Sequence, residues 1–78
     1  MTVLAKMTIN DGTTGEYLET VLAVFDDDEC EDLDEFDEEY YEEIQEFMFD
    51  RIHPDNKCHD IVTRLEFVEL EEEPYEVA

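Results

Sequence analysis

Positive charge is what this sequence has least of. Its 78 residues include four Lys or Arg against 26 Asp or Glu, which gives a net charge of −22 at pH 7. This imbalance exceeds what the solubility of a small domain requires. It excludes nucleic acid and anionic membrane surfaces as direct partners, because both would repel the chain. A basic protein, a polyamine or a metal cation is the favoured kind of partner.

Cysteine and long apolar runs are also scarce. The two cysteines are Cys30 and Cys58, and no basic segment followed by an apolar one resembles a signal peptide. We therefore expect two free thiols in a cytoplasmic protein, since a disulfide would need an oxidising compartment. No apolar run approaches the roughly 20 residues of a membrane-spanning helix, so we expect no membrane partner.

Apolar and aromatic residues are not scarce. They make up 42% and 12% of the chain, which is more than an acidic disordered segment usually carries. We therefore expect a folded protein. Its length allows one small domain with a single core.

Three segments have the pattern of strands. Residues 2–9 alternate between two sets of side chains, with Val3, Ala5, Met7 and Ile9 on one side. Residues 10–15 contain both glycines of the chain and predict a hairpin connection. Residues 16–25 predict the returning strand, although an amphipathic helix is an alternative for this segment. Residues 60–70 alternate again and predict the last strand.

Between the second and third strands the pattern changes to that of a helix. Residues 26–31 predict a loop, and Asp32 or Asp34 is a suitable N-cap for a helix that follows. The helix is predicted to continue to residue 52, because the residue before Pro54 resists helical dihedral angles. A polar loop is predicted over residues 54–59. The apolar stripe of this helix, at three- and four-residue spacings, consists of Leu33, Phe36, Tyr40, Ile44, Phe47, Met48 and Ile52.

The order strand, strand, helix, strand predicts an α+β fold. Its simplest form is a three-stranded antiparallel sheet with one acidic amphipathic helix packed on one face, followed by an acidic tail over residues 71–78. The second strand carries apolar residues on both faces, with Leu18, Leu22 and Val24 opposite Val21, Ala23 and Phe25, whereas one helix covers one face only. A second copy could cover the other face, so a monomer and a homodimer both remain open.

Acidic residues are concentrated between Asp26 and Glu46. Fourteen of these 21 positions are Asp or Glu, and none is Lys or Arg. A helix of this length would measure roughly 31 Å, with one negative charge per roughly 2.2 Å of its axis, whereas duplex DNA carries one per about 1.7 Å. Exposed helices usually pair Glu with Lys four residues later. This segment forgoes such pairs and leaves its field unneutralised.

The sequence lacks the motifs that are typical of metal-binding and catalytic sites. A calcium loop needs glycine at its sixth position, where counting from Asp26 gives Glu31 and counting from Asp28 gives Leu33. The cysteines and histidines lack the close pairs typical of zinc sites. No nucleophile is accompanied by a recognisable base and oxyanion hole. We expect no dedicated metal site, no cofactor and no enzymatic activity.

In charge, size and compactness the chain resembles the small acidic DNA-mimic inhibitors of phages and mobile elements, the anti-CRISPR and antirestriction class. The residues that carry the resemblance are the run 26–46 and the C-terminal glutamates Glu69, Glu71, Glu72 and Glu73. The resemblance implies a phage- or mobile-element-encoded inhibitor in the cytoplasm of a bacterial host. It would block the cationic groove of a basic nucleic-acid-binding protein, with a CRISPR effector subunit favoured. The predicted partner-binding residues are Asp27, Asp28, Glu31, Asp34, Asp37, Glu38, Glu42, Glu43 and Glu46.

Two other interpretations fit the charge. An antitoxin-like acidic module would neutralise one basic protein without imitating DNA, and duplex DNA would then not compete with it. A halophile-adapted acidic domain would use its charge for hydration in brine. Folding only in molar salt would identify the halophilic domain.

Overall fold

The computed structural model describes residues 1–70, and the acidic tail expected over residues 71–78 lies outside the described residues. The described chain forms an α+β fold with a three-stranded antiparallel sheet in the order β2-β1-β3 and one main helix on one face. This is the architecture that the sequence predicts. The elements are β1 Thr2–Asp11, β2 Tyr17–Asp26, α1 Leu33–Phe49, α2 Pro54–Lys57 and β3 Ile61–Leu70.

The central strand supplies the floor of the core. Val3, Ala5, Met7 and Ile9 alternate along β1 and are completely buried. Beside them, β2 contributes Val21 and β3 contributes half-buried apolar side chains from the same face. Successive strand residues point to opposite faces, so the alternation in the sequence correctly places these four side chains on one face of β1.

Helix α1 closes the core from above. Its buried residues Phe36, Ile44 and Met48 are separated by eight and four residues, which places them on one side of the helix. The Phe36 ring packs edge-on against Phe67 of β3, with ring centroids 5.3 Å apart. Most of the predicted apolar stripe is buried or half-buried, whereas Phe47 remains 44% exposed at the edge of the helix.

The connection from β1 to β2 is a tight turn with one irregularity. The Asp11 carboxylate accepts hydrogen bonds from the backbone N–H groups of Thr13 and Thr14, at 2.7 and 3.2 Å. Gly15 has a φ of 79°, which favours glycine. The register shifts between Ile9 and Asn10, so that Leu18 has no direct partner on β1. Leu18 packs against the core that contains Val21, so the prediction that these two side chains lie on opposite faces is wrong, because the bulge changes the alternation.

The helix ends earlier than its sequence predicts. Helix α1 stops at Phe49 rather than at residue 52, because the N–H groups of Arg51 and Ile52 bond to carbonyls three residues back. This tighter turn carries Ile52 into the core, where it is 2% exposed. The predicted polar loop contains the one-turn helix α2, which begins at Pro54. Pro54 therefore begins a helix as well as preventing α1 from continuing, because its fixed φ suits the first position of a helix.

Candidate acidic interaction surface

The start of α1 is fixed by carboxylates acting on backbone groups. Asp32 is the N-cap, and its side chain accepts the N–H of Glu35 at 2.9 Å. Glu35 in turn accepts the N–H of Glu31 at 3.1 Å. These bonds satisfy N–H groups that have no partner within the helix. Negative charge also suits this end of the helix dipole, so a helix with eight acidic residues still has a stable beginning.

The acidic residues of α1 are exposed to solvent. All eight acidic residues from Asp34 to Glu46 are exposed. A stripe opposite the buried side chains, at helical spacing, consists of Glu35, Glu38, Glu39, Glu42 and Glu46. Asp34 and Glu43 are exposed on either side of this stripe. Asp37 is also exposed, but it lies seven residues before Ile44 and therefore on the side of α1 that carries the buried residues. The eight charges lie along about 18 Å of helix, or one per about 2.3 Å.

The loop before α1 extends this charge. Asp28 and Glu31 are exposed, and Asp27 is half-buried. The backbone N–H of Asp27 bonds to the carbonyl of Met1 at 2.9 Å, which ties the loop to the start of β1. Together, the nine predicted partner-binding residues and the additional helix acids Glu35 and Glu39 are called the acidic surface below.

Asp27 differs from the other members of the acidic surface in its environment. Its Oδ1 accepts the N–H of Glu29 at 3.1 Å. The Cys30 thiol, followed by this N–H, lowers the pKa of Asp27. The same contact, together with desolvation, raises the pKa of Cys30 to about 12. The charge of Asp27 also raises the pKa of Tyr40. Asp27 therefore keeps its negative charge and maintains two neutral neighbours.

All four cationic side chains lie away from the acidic stripe. Lys6 and Arg64 are on the face of the sheet opposite α1, where Arg64 is 3.4 Å from Glu66. Arg51 lies over the Phe47 ring at 4.6 Å, and Lys57 donates to the carbonyl of Asp50 at 3.3 Å. Within residues 1–70, no carboxylate of α1 forms an ion pair with Lys or Arg. The field of the acidic surface is therefore unneutralised.

A groove of about 300 Å³ runs between α1 and the end of β2. Its apolar lining includes Phe25, Phe36 and Ile44, and Asp27 and Glu43 add carboxylates. Such a groove matches the chemistry of an arginine or lysine side chain, which has an apolar stem and a charged end. It gives the acidic surface a shape that a flat row of charges would lack.

The structure adds two acids to the acidic surface and shows that another acid, Glu19, stabilises the fold. The sequence hypothesis omitted Glu35 and Glu39, although Glu35 is three residues from Glu38, Glu39 is three residues from Glu42, and all four share one side of α1. It gave no role to Glu19. The Glu19 carboxylate accepts the N–H of His53 at 3.2 Å and also bonds to the Asn56 side chain, which holds the α1–α2 connection against β2.

The described part of the chain brings together no group of three His, Cys, Asp or Glu side chains that could hold a metal ion. Cys30 and Cys58 are both free. None of the helices in residues 1–70 is long and apolar enough to cross a membrane. No protein-family model, curated protein or solved structure matches this chain.

Proposed function

We propose that this protein is a non-enzymatic DNA-mimic inhibitor. Its target would be a basic nucleic-acid-binding protein in the bacterial cytoplasm, and we favour the DNA- or PAM-binding groove of a CRISPR effector complex. The observation that carries this proposal is the row of exposed carboxylates on α1, which has no cationic partner among the described residues. Its charge spacing of about 2.3 Å approaches the spacing of about 1.7 Å along duplex DNA.

Inhibition would occur by direct competition for cationic side chains. Arginine and lysine residues that hold DNA phosphates would bind the carboxylates of the acidic surface, and arginine can do so with two parallel hydrogen bonds. A target arginine that enters the groove beside α1 would lay its stem on Phe36 and Ile44 and its guanidinium near Glu43. The rigid helix fixes the positions of the carboxylates, so little ordering is needed on binding.

The long-range field would act mainly on the rate of encounter. A net charge of −22 attracts a cationic groove over several ångströms, and added salt screens this attraction. We therefore expect association to slow as salt rises.

Competition with DNA provides the direct test. Purified CRISPR effector complexes of several types would be mixed with a fluorescent target duplex, and its anisotropy followed as the protein is added. The proposal expects loss of DNA binding at a near-stoichiometric ratio and recovery when unlabelled duplex is in excess. If a complex binds the protein and DNA at the same time, the mimic mechanism is wrong for that complex.

Matched charge variants would show whether the helix or the net charge is responsible. The triple variant Glu38→Gln, Glu42→Gln and Glu46→Gln removes three charges from the acidic stripe. The control variant Glu16→Gln, Asp55→Asn and Asp60→Asn removes three exposed charges from loops and from α2. We expect the helix variant to weaken inhibition by at least about tenfold, and the control variant to change it much less. Equal effects would mean that net charge alone drives binding.

Binding in the presence of duplex DNA and folding at low salt distinguish the two alternative functions from the DNA mimic. An antitoxin-like module would bind a basic protein whether or not duplex DNA is present. A halophile-adapted domain would bind no such partner and would unfold at low salt, which far-ultraviolet circular dichroism would detect. The DNA-mimic proposal requires a protein that is folded at physiological salt and is displaced by DNA.

A further inference from the structure

The sheet has a second face that no described part of the chain covers. Helix α1 packs on one face, whereas the side chains on the opposite face, called the open face below, point to solvent. Leu22 and Val24 of β2 are 57% and 60% exposed, and Val68 of β3 is 46% exposed. Leu4 of β1 lies between Val24 and Val68 in the register of the sheet. Leu70 follows on β3, so these residues form one continuous apolar patch.

The open face is also the one electrically neutral surface among the faces of the described sheet and helix. Its fifteen positions include two cations, Lys6 and Arg64, and two acids, Asp26 and Glu66. The whole net charge of −22 therefore lies elsewhere in the chain. One third of this sequence is acidic, so a neutral surface of this size is unexpected for a face that only contacts water.

We infer that the open face is the interface of a homodimer, in which two sheets pack face to face. A second copy is the occupant that the charges favour. It presents the same neutral patch, whereas approach through any other side would bring acidic residues against acidic residues. A twofold axis makes such an interface self-complementary, and the cations and acids of each face supply both signs of charge. A basic partner would instead be drawn to the acidic surface on α1.

The size of the open face indicates a reversible dimer. Three strands of ten residues cover about 14 Å by 33 Å at ordinary strand spacing and rise. Two such faces amount to roughly 900 Å² of sheet area, which is below the range for stable specific interfaces and in the range of weak, transient ones. Dimer formation should therefore depend on concentration rather than be permanent.

The dimer would also organise the acidic surface. Packed sheets lie about 10 Å apart, and α1 lies on the far side of each sheet. The two acidic surfaces would then face away from each other, on opposite sides of the particle. Each copy could bind a cationic partner without blocking the other. The dimer itself does not depend on the proposed function.

Analytical ultracentrifugation of the unmodified protein tests the dimer directly. Runs from about 10 µM to 1 mM would be made at low salt and at about 0.5 M NaCl, where the Debye length is shorter. We expect the average mass to rise toward twice the monomer value with concentration. Salt should strengthen the dimer, because it screens the repulsion of two highly charged copies, whereas it should weaken binding to a cationic target. A monomer under all these conditions would overturn the proposal.

Surface variants then locate the interface. Leu22→Glu and Val68→Glu place an unpaired charge in the apolar patch, and each should weaken the dimer by at least about tenfold. Phe49→Glu, at a 40% exposed position on α1, is the control and should leave the dimer intact. Chemical shifts of the wild-type protein, followed on dilution, provide a readout that needs no variant. Methyl signals of Leu22, Val24 and Val68 should move. Movement confined to α1 would show that the open face is not the interface.

Discussion

At the scale of single residues, Asp27 and Cys30 form a pair that is set apart from the solvated carboxylates. The thiol and the Glu29 N–H lower the pKa of Asp27, and the carboxylate raises the pKa of Cys30 to about 12. Only the thiolate form of cysteine is a strong nucleophile. The pair therefore keeps a negative charge at the start of the acidic surface and makes the adjacent thiol unreactive.

Alkylation of Cys30 should be slow for this reason. In a Cys58→Ser background at pH 8, we expect iodoacetamide to modify Cys30 at least about 100-fold more slowly in the folded chain than in the denatured chain. Asp27→Asn removes the neighbouring charge and should accelerate the reaction by at least about tenfold. Asp28→Asn, one position further along the loop, is the matched control and should have little effect. Mass spectrometry of timed samples measures the rates. Equal acceleration by both variants would contradict a specific role of Asp27.

The roles of individual acids could be predicted only in part from the sequence. Glu16 and Glu19 are close in the chain and chemically identical, yet Glu16 is exposed while Glu19 bonds to His53 and Asn56. No local pattern indicates this difference, because the partners of Glu19 lie more than 30 residues away. The exposed stripe of α1 is easier to predict from the sequence, because the positions of Glu35 and Glu39 on it follow from helical spacing alone.

At the scale of elements, the N-cap of α1 determines whether a helix this acidic begins at a defined residue. Asp32→Ala removes the side chain that accepts the Glu35 N–H, and we expect a loss of about 1 kcal/mol in the free energy of unfolding. For a domain of this size the melting temperature should fall by about 5 °C. Asp28→Ala removes an equal charge without removing a cap. Thermal unfolding followed by circular dichroism compares the two variants, and equal melting temperatures would show that the cap contributes nothing.

The same elements show which parts of the fold the sequence can predict. Alternation places the four buried side chains of β1 on one face, and three- and four-residue spacing assigns Phe36, Ile44 and Met48 of α1, because both follow from local backbone geometry. The shift of Leu18 depends on pairing with another strand, which alternation within β2 cannot reveal. The end of α1 depends on the burial of Ile52, which is a tertiary contact.

At the scale of the whole molecule, charge is segregated between two sides. The carboxylates of α1 occupy one side, and the neutral face of the sheet occupies the other. The charged side lowers the stability of the fold, because repulsion among its carboxylates destabilises the compact state. The neutral side avoids that repulsion, as the proposed dimer requires, while the charged side presents its field to solvent.

This arrangement predicts an unusual dependence of stability on pH. Lowering the pH from 7 toward the isoelectric point of about 4.1 reduces the net charge, and the relief of repulsion should raise the melting temperature. Asp11 and Asp27 act in the opposite direction. The pKa of Asp11 is lowered by the N–H groups of Thr13 and Thr14, and that of Asp27 by the Cys30 thiol and the Glu29 N–H. Because folding lowers these pKa values, the stabilisation is present above the unfolded value of 3.8 and is lost as pH falls below it.

We therefore expect the melting temperature to pass through a maximum between about pH 4 and pH 5. Circular dichroism melts at low protein concentration, from pH 3 to pH 8, would measure the profile. Asp11→Asn should reduce the decline on the acid side, because the variant has no carboxylate to protonate at that turn, whereas Asp28→Asn should leave that decline unchanged. At pH 7, added NaCl should raise the melting temperature by screening the same repulsion. A melting temperature that falls steadily from pH 8 to pH 4 would mean that self-repulsion among the carboxylates does not limit the stability of the fold.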